Sequence, residues 1–282
     1  MRGFVLVASL FVLSGSQVSG QPTFLERSHR AFNDFLRTYV VTELTYKEGK
    51  EFESSRVRYG ALKRDDRWTS FVESLAKVDS AYLRTADRED RIAFWINTYN
   101  ALIIDTVIQH YPIRATVAYP NPSIRSIKGA WDVPHEVAGQ KYSLSDVEDI
   151  LGKLGDGRVW FLTCPAAMGG PNLRPYALTP TNIEQELESA CGGWVNDPRH
   201  VRINSAANEL EVSDYLEDKL ASLNEPVRSF FPGAEKYPLS QRALIDTLLR
   251  RLPPEKKDYI RAKCPTVVFI PLDWTLNDAA SF

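Results

Sequence analysis

The chain has 282 residues, 44% of them hydrophobic, and a formal net charge of -2. With a sequence pI of about 6.1, it has enough apolar content for a sizeable core and lacks the basic excess of a broad nucleic-acid surface. Its three cysteines allow at most one internal disulfide, and its four histidines are scattered without metal-ligand spacing, so neither a metal nor a cofactor is expected.

Arg2, the apolar run 4–13 and the small residues Val18-Ser19-Gly20 before Gln21 read as a cleaved secretory leader. The run is shorter than the ~20 residues that span a bilayer. No second run of that length follows, so a secreted or periplasmic mature chain without a transmembrane segment is expected. The division that follows is a leader over 1–20, an N-terminal helical extension over 21–58 and one domain over 59–282.

Phe32, Phe35, Leu36, Tyr39 and Val40 recur at helical spacing and predict a helix within 24–44. The charged stretch 46–58 reads as a link to the next element. Further helices are expected over 67–75 and from Ser80. Then comes a long helix bearing Phe94-Trp95-Ile96-Asn97-Thr98-Tyr99-Asn100, ended by Tyr111-Pro112 and capped by Thr85, Asp87 or Asp90. At about 100° per residue, Arg91, Thr98, Asp105 and Gln109 share a polar face, and Asn100 lies opposite with Ile96, Ile103 and Val107. An unpartnered buried amide costs about 1–3 kcal/mol, so Asn97 and Asn100 must bond to backbone, water or a ligand. Two readings follow: the amides tie loops to the helix, or they grip something in a polar cleft.

Pro120, Pro122 and Pro134 with Gly129 and Gly139 mark an irregular region containing Trp131-Asp132 and His135-Glu136. An aromatic beside a carboxylate in such a loop suits a small molecule or peptide. Ser143 with Asp146 three residues on is an acidic capping box, which places Glu148 on a short helix. Among Leu144, Val147 and Leu151, Glu148 has the surroundings of a general acid; the competing reading is an exposed helix charge. The run 159–163 reads as a buried strand ending at Cys164, followed by a Gly/Pro-rich surface loop over 165–175. A helix is expected from Thr179-Pro180 to Ala190, a hairpin around 204–209, helices over 242–252 and 254–263, and a strand over 266–270. The whole reads as α+β, with a helical N-terminal half packed on a small, mostly antiparallel sheet in a single domain.

Two function classes remain. A thiol-dependent hydrolase or acyltransferase of the papain or transglutaminase type, acting on peptide or amide substrates, would use Cys164 as nucleophile, His135 as its imidazole and Glu148 as an acid. Against it stand a structural thiol at Cys164 and, as the disulfide of choice, Cys191 with Cys264. The second class is a binding module without turnover, using Asn97, Asn100, Trp131 and Arg174, although Arg174 serves equally well to pair a carboxylate of the protein itself.

The order of Phe94-Trp95-Ile96-Asn97-Thr98-Tyr99-Asn100-Ala101, Tyr111-Pro112-Ile113, Ser143-Leu144 with Val147-Glu148, Phe161-Leu162-Thr163-Cys164, Gly170-Pro171-Asn172-Leu173-Arg174 and Asp273-Trp274-Thr275-Leu276-Asn277 resembles the domain of unknown function 547 family, from about Tyr59 to Asn277. The resemblance implies a single α+β domain, often exported in bacteria, and no settled activity. This chain departs from the family pattern at Asp149 and Trp160, where members commonly carry His, and at Gly170, where they commonly carry a second Cys. It also has Asp214-Tyr215-Leu216-Glu217-Asp218 in place of an aromatic signature. These losses favour a ligand-binding or degenerate enzyme-like domain.

Overall fold

The computed structural model describes residues 24–47, 50–223 and 231–279, so the expected leader lies outside the described residues. Helix α1 (Phe24–Tyr39) gives way at the β-branched run from Val40 to β1 (Val40–Lys47). The charged stretch expected as a link is β2 (Lys50–Val57), antiparallel to β1. Helices α2 (Tyr59–Leu62), α3 (Arg67–Leu75) and α4 (Ser80–Thr85) follow, the last capped by the Asp79 carboxylate. Phe32 and Phe35 of α1 meet Trp68 and Phe71 of α3 in a ring cluster with centroids 5.1–5.6 Å apart. Burying four such rings ties the N-terminal segment into the common core.

The centre of the fold is α5 (Arg88–His110), which is buried from Ile92 to Ile108 and packs against α1, α2, α3 and other helices. On the polar face expected through Arg91, Thr98, Asp105 and Gln109, Thr98 and Asp105 are buried and Gln109 is exposed. The Asp105 carboxylate accepts the Trp68 indole N–H at 3.0 Å. Burial favours polar groups that neighbours satisfy, as at Asp105, whereas the buried Thr98 hydroxyl takes no hydrogen bond from the described residues. Asp87 occupies the N-cap position, without a side-chain cap bond.

The irregular region holds a 3-10 turn, Ile124–Ser126, then the hairpin β3 (His135–Val137) and β4 (Gln140–Tyr142). Helix α6 (Leu144–Lys153) opens with the Ser143/Asp146 capping box. The run before Cys164 is a 3-10 helix, Gly157–Phe161, where a strand was expected. Its hydrophobicity reflects burial on all sides, which periodicity alone does not separate from a strand. Helix α7 (Ile183–Asn196) begins one turn later than expected, because Asn182 and Thr179 close a turn ahead of it. Strands β5 (Val201–Asn204) and β6 (Glu209–Ser213) form the expected hairpin, and β7 (Thr266–Ile270) adds parallel to β6 after α8 (Leu239–Arg251) and α9 (Pro254–Lys263). The C-terminal segment returns to the end of β2, Val57 N–H donating to Asn277 O at 2.8 Å. The architecture is α+β, with small and mainly antiparallel sheets. No disulfide joins the three cysteines, so the preferred pairing of Cys191 with Cys264 is not formed. No helix among the described residues is long and apolar enough to cross a membrane.

Candidate functional site

The paired amides of α5 both bond to backbone. Asn97 Nδ2 donates to Leu178 O at 2.8 Å, and Leu178 N–H donates to Asn97 Oδ1 at 3.0 Å. One turn on, Asn100 Nδ2 donates to Leu162 O at 2.9 Å and Cys164 N–H donates to Asn100 Oδ1 at 2.9 Å. Each carboxamide imitates a strand partner for a loop that has none, which is the loop-tying reading. These bonds favour loop tying by Asn97 and Asn100 over a grip on a ligand.

Cys164 belongs to the same buried assembly. Its thiol is 3% exposed and receives a weak bond from Asn277 Nδ2 at 3.5 Å, and Asn277 Oδ1 in turn accepts the Tyr59 hydroxyl at 2.7 Å. Burial pushes the thiol up to about 11, against the opposing pull of the Ala166, Leu173 and Ala167 amides and of Asn277. The expected imidazole is placed elsewhere. His135 Nδ1 lies 3.9 Å from Asp105 Oδ2, and Asp105 projects about 140° round α5 from Asn100, which holds Cys164. Burial holds the His135 pKa below its ordinary value, with Asp105 opposing. Among the described residues no hydrogen bond or ion pair links Cys164 to His135 or Glu148.

Glu148 is placed differently. The α6 capping box fixes the start of that helix, and Leu144, Val147 and Leu151 bury its inner face. Half-buried Glu148 stands at the border of that face, where its Oε1 accepts the Tyr99 hydroxyl at 2.8 Å and the Trp131 indole N–H at 3.3 Å. Oε2 takes no bond from any described residue. Burial raises the Tyr99 hydroxyl well above its ordinary value and the adjacent Glu148 carboxylate adds to this, so Tyr99 remains a neutral donor.

Glu148 and Trp131 border a cleft of about 270 Å³ shared with Tyr99, Arg125, Tyr215 and Trp274. Asp214, Glu217 and Asp218 form an acidic side with Lys219 beside them, and Pro165 puts the Cys164 loop at its wall. The Trp131 and Trp274 rings meet edge to face at 6.1 Å, and the Arg125 guanidinium lies 3.8 Å from the Trp274 centroid. Lys219 sits over Tyr215 at 4.8 Å and Trp160 at 5.0 Å. Arg174 is elsewhere, in a second pocket of about 290 Å³, where it pairs with Glu186 at 2.9 Å and reaches Ser189 at 3.4 Å. Its charge is spent on the protein.

Of the residues singled out in the sequence, the cleft thus unites Glu148 and Trp131. It adds Arg125, Tyr215 and Lys219, for which the sequence carried no signal beyond their residue types. Trp274 stood in a recognisable motif without an assigned role. The departures from the family pattern also have local reasons. A Cβ on Gly170 would meet Pro165 Cδ at 2.6 Å, so no side chain fits that turn as it stands. Trp160 is buried with its indole N–H on Ser222 Oγ at 2.7 Å, and Asp149 is an exposed charge 3.9 Å from Lys153. Among the described residues no cluster of His, Cys, Asp and Glu is arranged to hold a metal ion.

No curated protein and no solved structure matches the chain. A family model described as "Protein of unknown function, DUF547" matches residues 83–195. The matched stretch includes Tyr99, Arg125, Trp131, Glu148 and Cys164, and it ends before Tyr215 and Trp274. Over residues 83–195, then, this chain carries a domain of the DUF547 family, whose function is not assigned.

Proposed function

We propose that this protein is an exported binding domain that takes a small polar ligand in the cleft around Glu148, without turnover through Cys164. The observation that carries the reading is the state of Glu148: one carboxylate oxygen is fixed by Tyr99 and Trp131, and the other is uncommitted at a cleft walled by aromatic rings. A half-buried acceptor held in a fixed rotamer is suited to binding, because little side-chain freedom is lost when a donor arrives. The volume is at the small end of ligand sites, which run from about 300 to 1,000 Å³. The thiol reading is weakened by the burial of Cys164, its raised pKa and the distant engagement of His135. Export rests on the charged start, apolar run and small residues of 1–20.

Intrinsic tryptophan fluorescence tests the binding reading, since Trp131 and Trp274 line the cleft. A panel of sugars, amines, carboxylates and amino acids is titrated into the protein and into Glu148→Gln. A response that Glu148→Gln weakens supports the reading; a panel without any response sinks it. Terminal sequencing of protein recovered from outside the cell checks export, with Gln21 as the expected first residue.

A further inference from the structure

Two charges of opposite sign border the cleft and do not close on each other. Among the described residues nothing bonds to Glu148 Oε2, and the Arg125 side chain makes no ion pair or hydrogen bond, only its stacking contact on Trp274. What separates them is visible in the chain of contacts: Arg125 on Trp274, Trp274 against Trp131, Trp131 N–H on Glu148. Two indoles hold a cation and an anion apart across one small space. The Arg125 backbone is anchored beside fully buried Ile124, and its N–H donates to buried Ser123 Oγ at 3.2 Å. A guanidinium that stacks through its face keeps its rim of N–H donors open, in the fork geometry that suits a carboxylate.

We infer that the occupant of this cleft is a small zwitterion, a free amino acid or dipeptide, with its ammonium on Glu148 and its carboxylate on Arg125. This rests on the binding reading above and narrows it. The acidic rim of Glu217 and Asp218 favours the ammonium end, and one face of Trp274, the surface a sugar ring would stack on, is already covered by Arg125. The cleft volume admits one or two residues of peptide and no long chain.

The test uses the whole protein, with tryptophan fluorescence and thermal shift as readouts. The probes are the free L-amino acids, alanyl-alanine, its N-acetyl and C-amide forms, and glucose, spermidine and succinate as chemically different competitors. A zwitterion should bind, and masking either end should weaken it by about tenfold or more, the scale of a charge-assisted bond. Arg125→Gln, at an exposed position, should stop discriminating against the amide. Glu148→Gln, which keeps an acceptor for Tyr99 and Trp131, should stop discriminating against the acetylated form. Glucose, spermidine or succinate binding in a Glu148-dependent way while no zwitterion binds would overturn this inference and leave the binding reading standing. Silence from every probe would remove both. A zwitterion that binds equally well with its carboxylate amidated would overturn the assignment to Arg125.

Discussion

Tyr99 and Asn100 are neighbours on α5, yet they serve opposite kinds of polar structure. Asn100 and Asn97 turn to loops whose backbone has no strand or helix to bond to, and each amide donates one bond to that backbone and accepts one from it at 2.8–3.0 Å. Tyr99 turns to Glu148, where one carboxylate oxygen is fixed and the other is left open to a cleft. The difference teaches where to look for function in a buried polar network. A closed network is architecture, because burial penalises any valence left over. An open valence at the edge of burial is available to a ligand.

The largest effect should fall on the closed network. Asn100→Ala strands the Leu162 carbonyl and the Cys164 N–H in the core, at a cost of about 3 kcal/mol, read as a lower urea midpoint at unchanged slope. Asn97→Ala should behave similarly through Leu178. If either variant is as stable as the parent, the contrast between the two regions is false.

Thiol chemistry sharpens it next. In the native protein an alkylating reagent should label half-buried Cys264, and leave buried Cys164 and Cys191 unlabelled until urea unfolds the chain. Rapid native labelling of Cys164 would restore the nucleophile reading.

Acid should weaken the fold through His135. Its folded pKa lies below its unfolded value near 6.5, so the unfolded chain takes up the proton first. The contribution is fully present above that value and is lost as pH falls from it to the folded pKa. His135→Gln should flatten this part of the stability profile, and an unchanged profile would mean that the imidazole is solvated.

The smallest effect on stability should come from the open site. Glu148→Gln keeps an acceptor for Tyr99 and Trp131 and should cost less than about 1 kcal/mol by thermal unfolding. A cost as large as that of Asn100→Ala would place Glu148 in the architecture as well.

Local signals in the sequence located many elements. The Ser143/Asp146 pair marked the start of α6, Pro254 that of α9, and the β-branched run that of β7. The motif order named the family, and the need of two buried amides for partners was legible from helical spacing alone. Which partners they take was not. Leu178 and Cys164 are 81 and 64 residues away from Asn97 and Asn100, and such pairings depend on how loops close over a helix buried on all sides. The 3-10 helix before Cys164 and the strand at 50–57 were misread for a related reason: burial and pairing overrode patterns that composition made ambiguous. The cleft itself belongs wholly to tertiary structure. Arg125 and Trp131, Glu148, Tyr215 and Trp274 sit on four separate segments, and no spacing rule connects residues that meet only after the core has formed. Sequence set what each side chain could offer; packing decided which offers were used up and which stayed open.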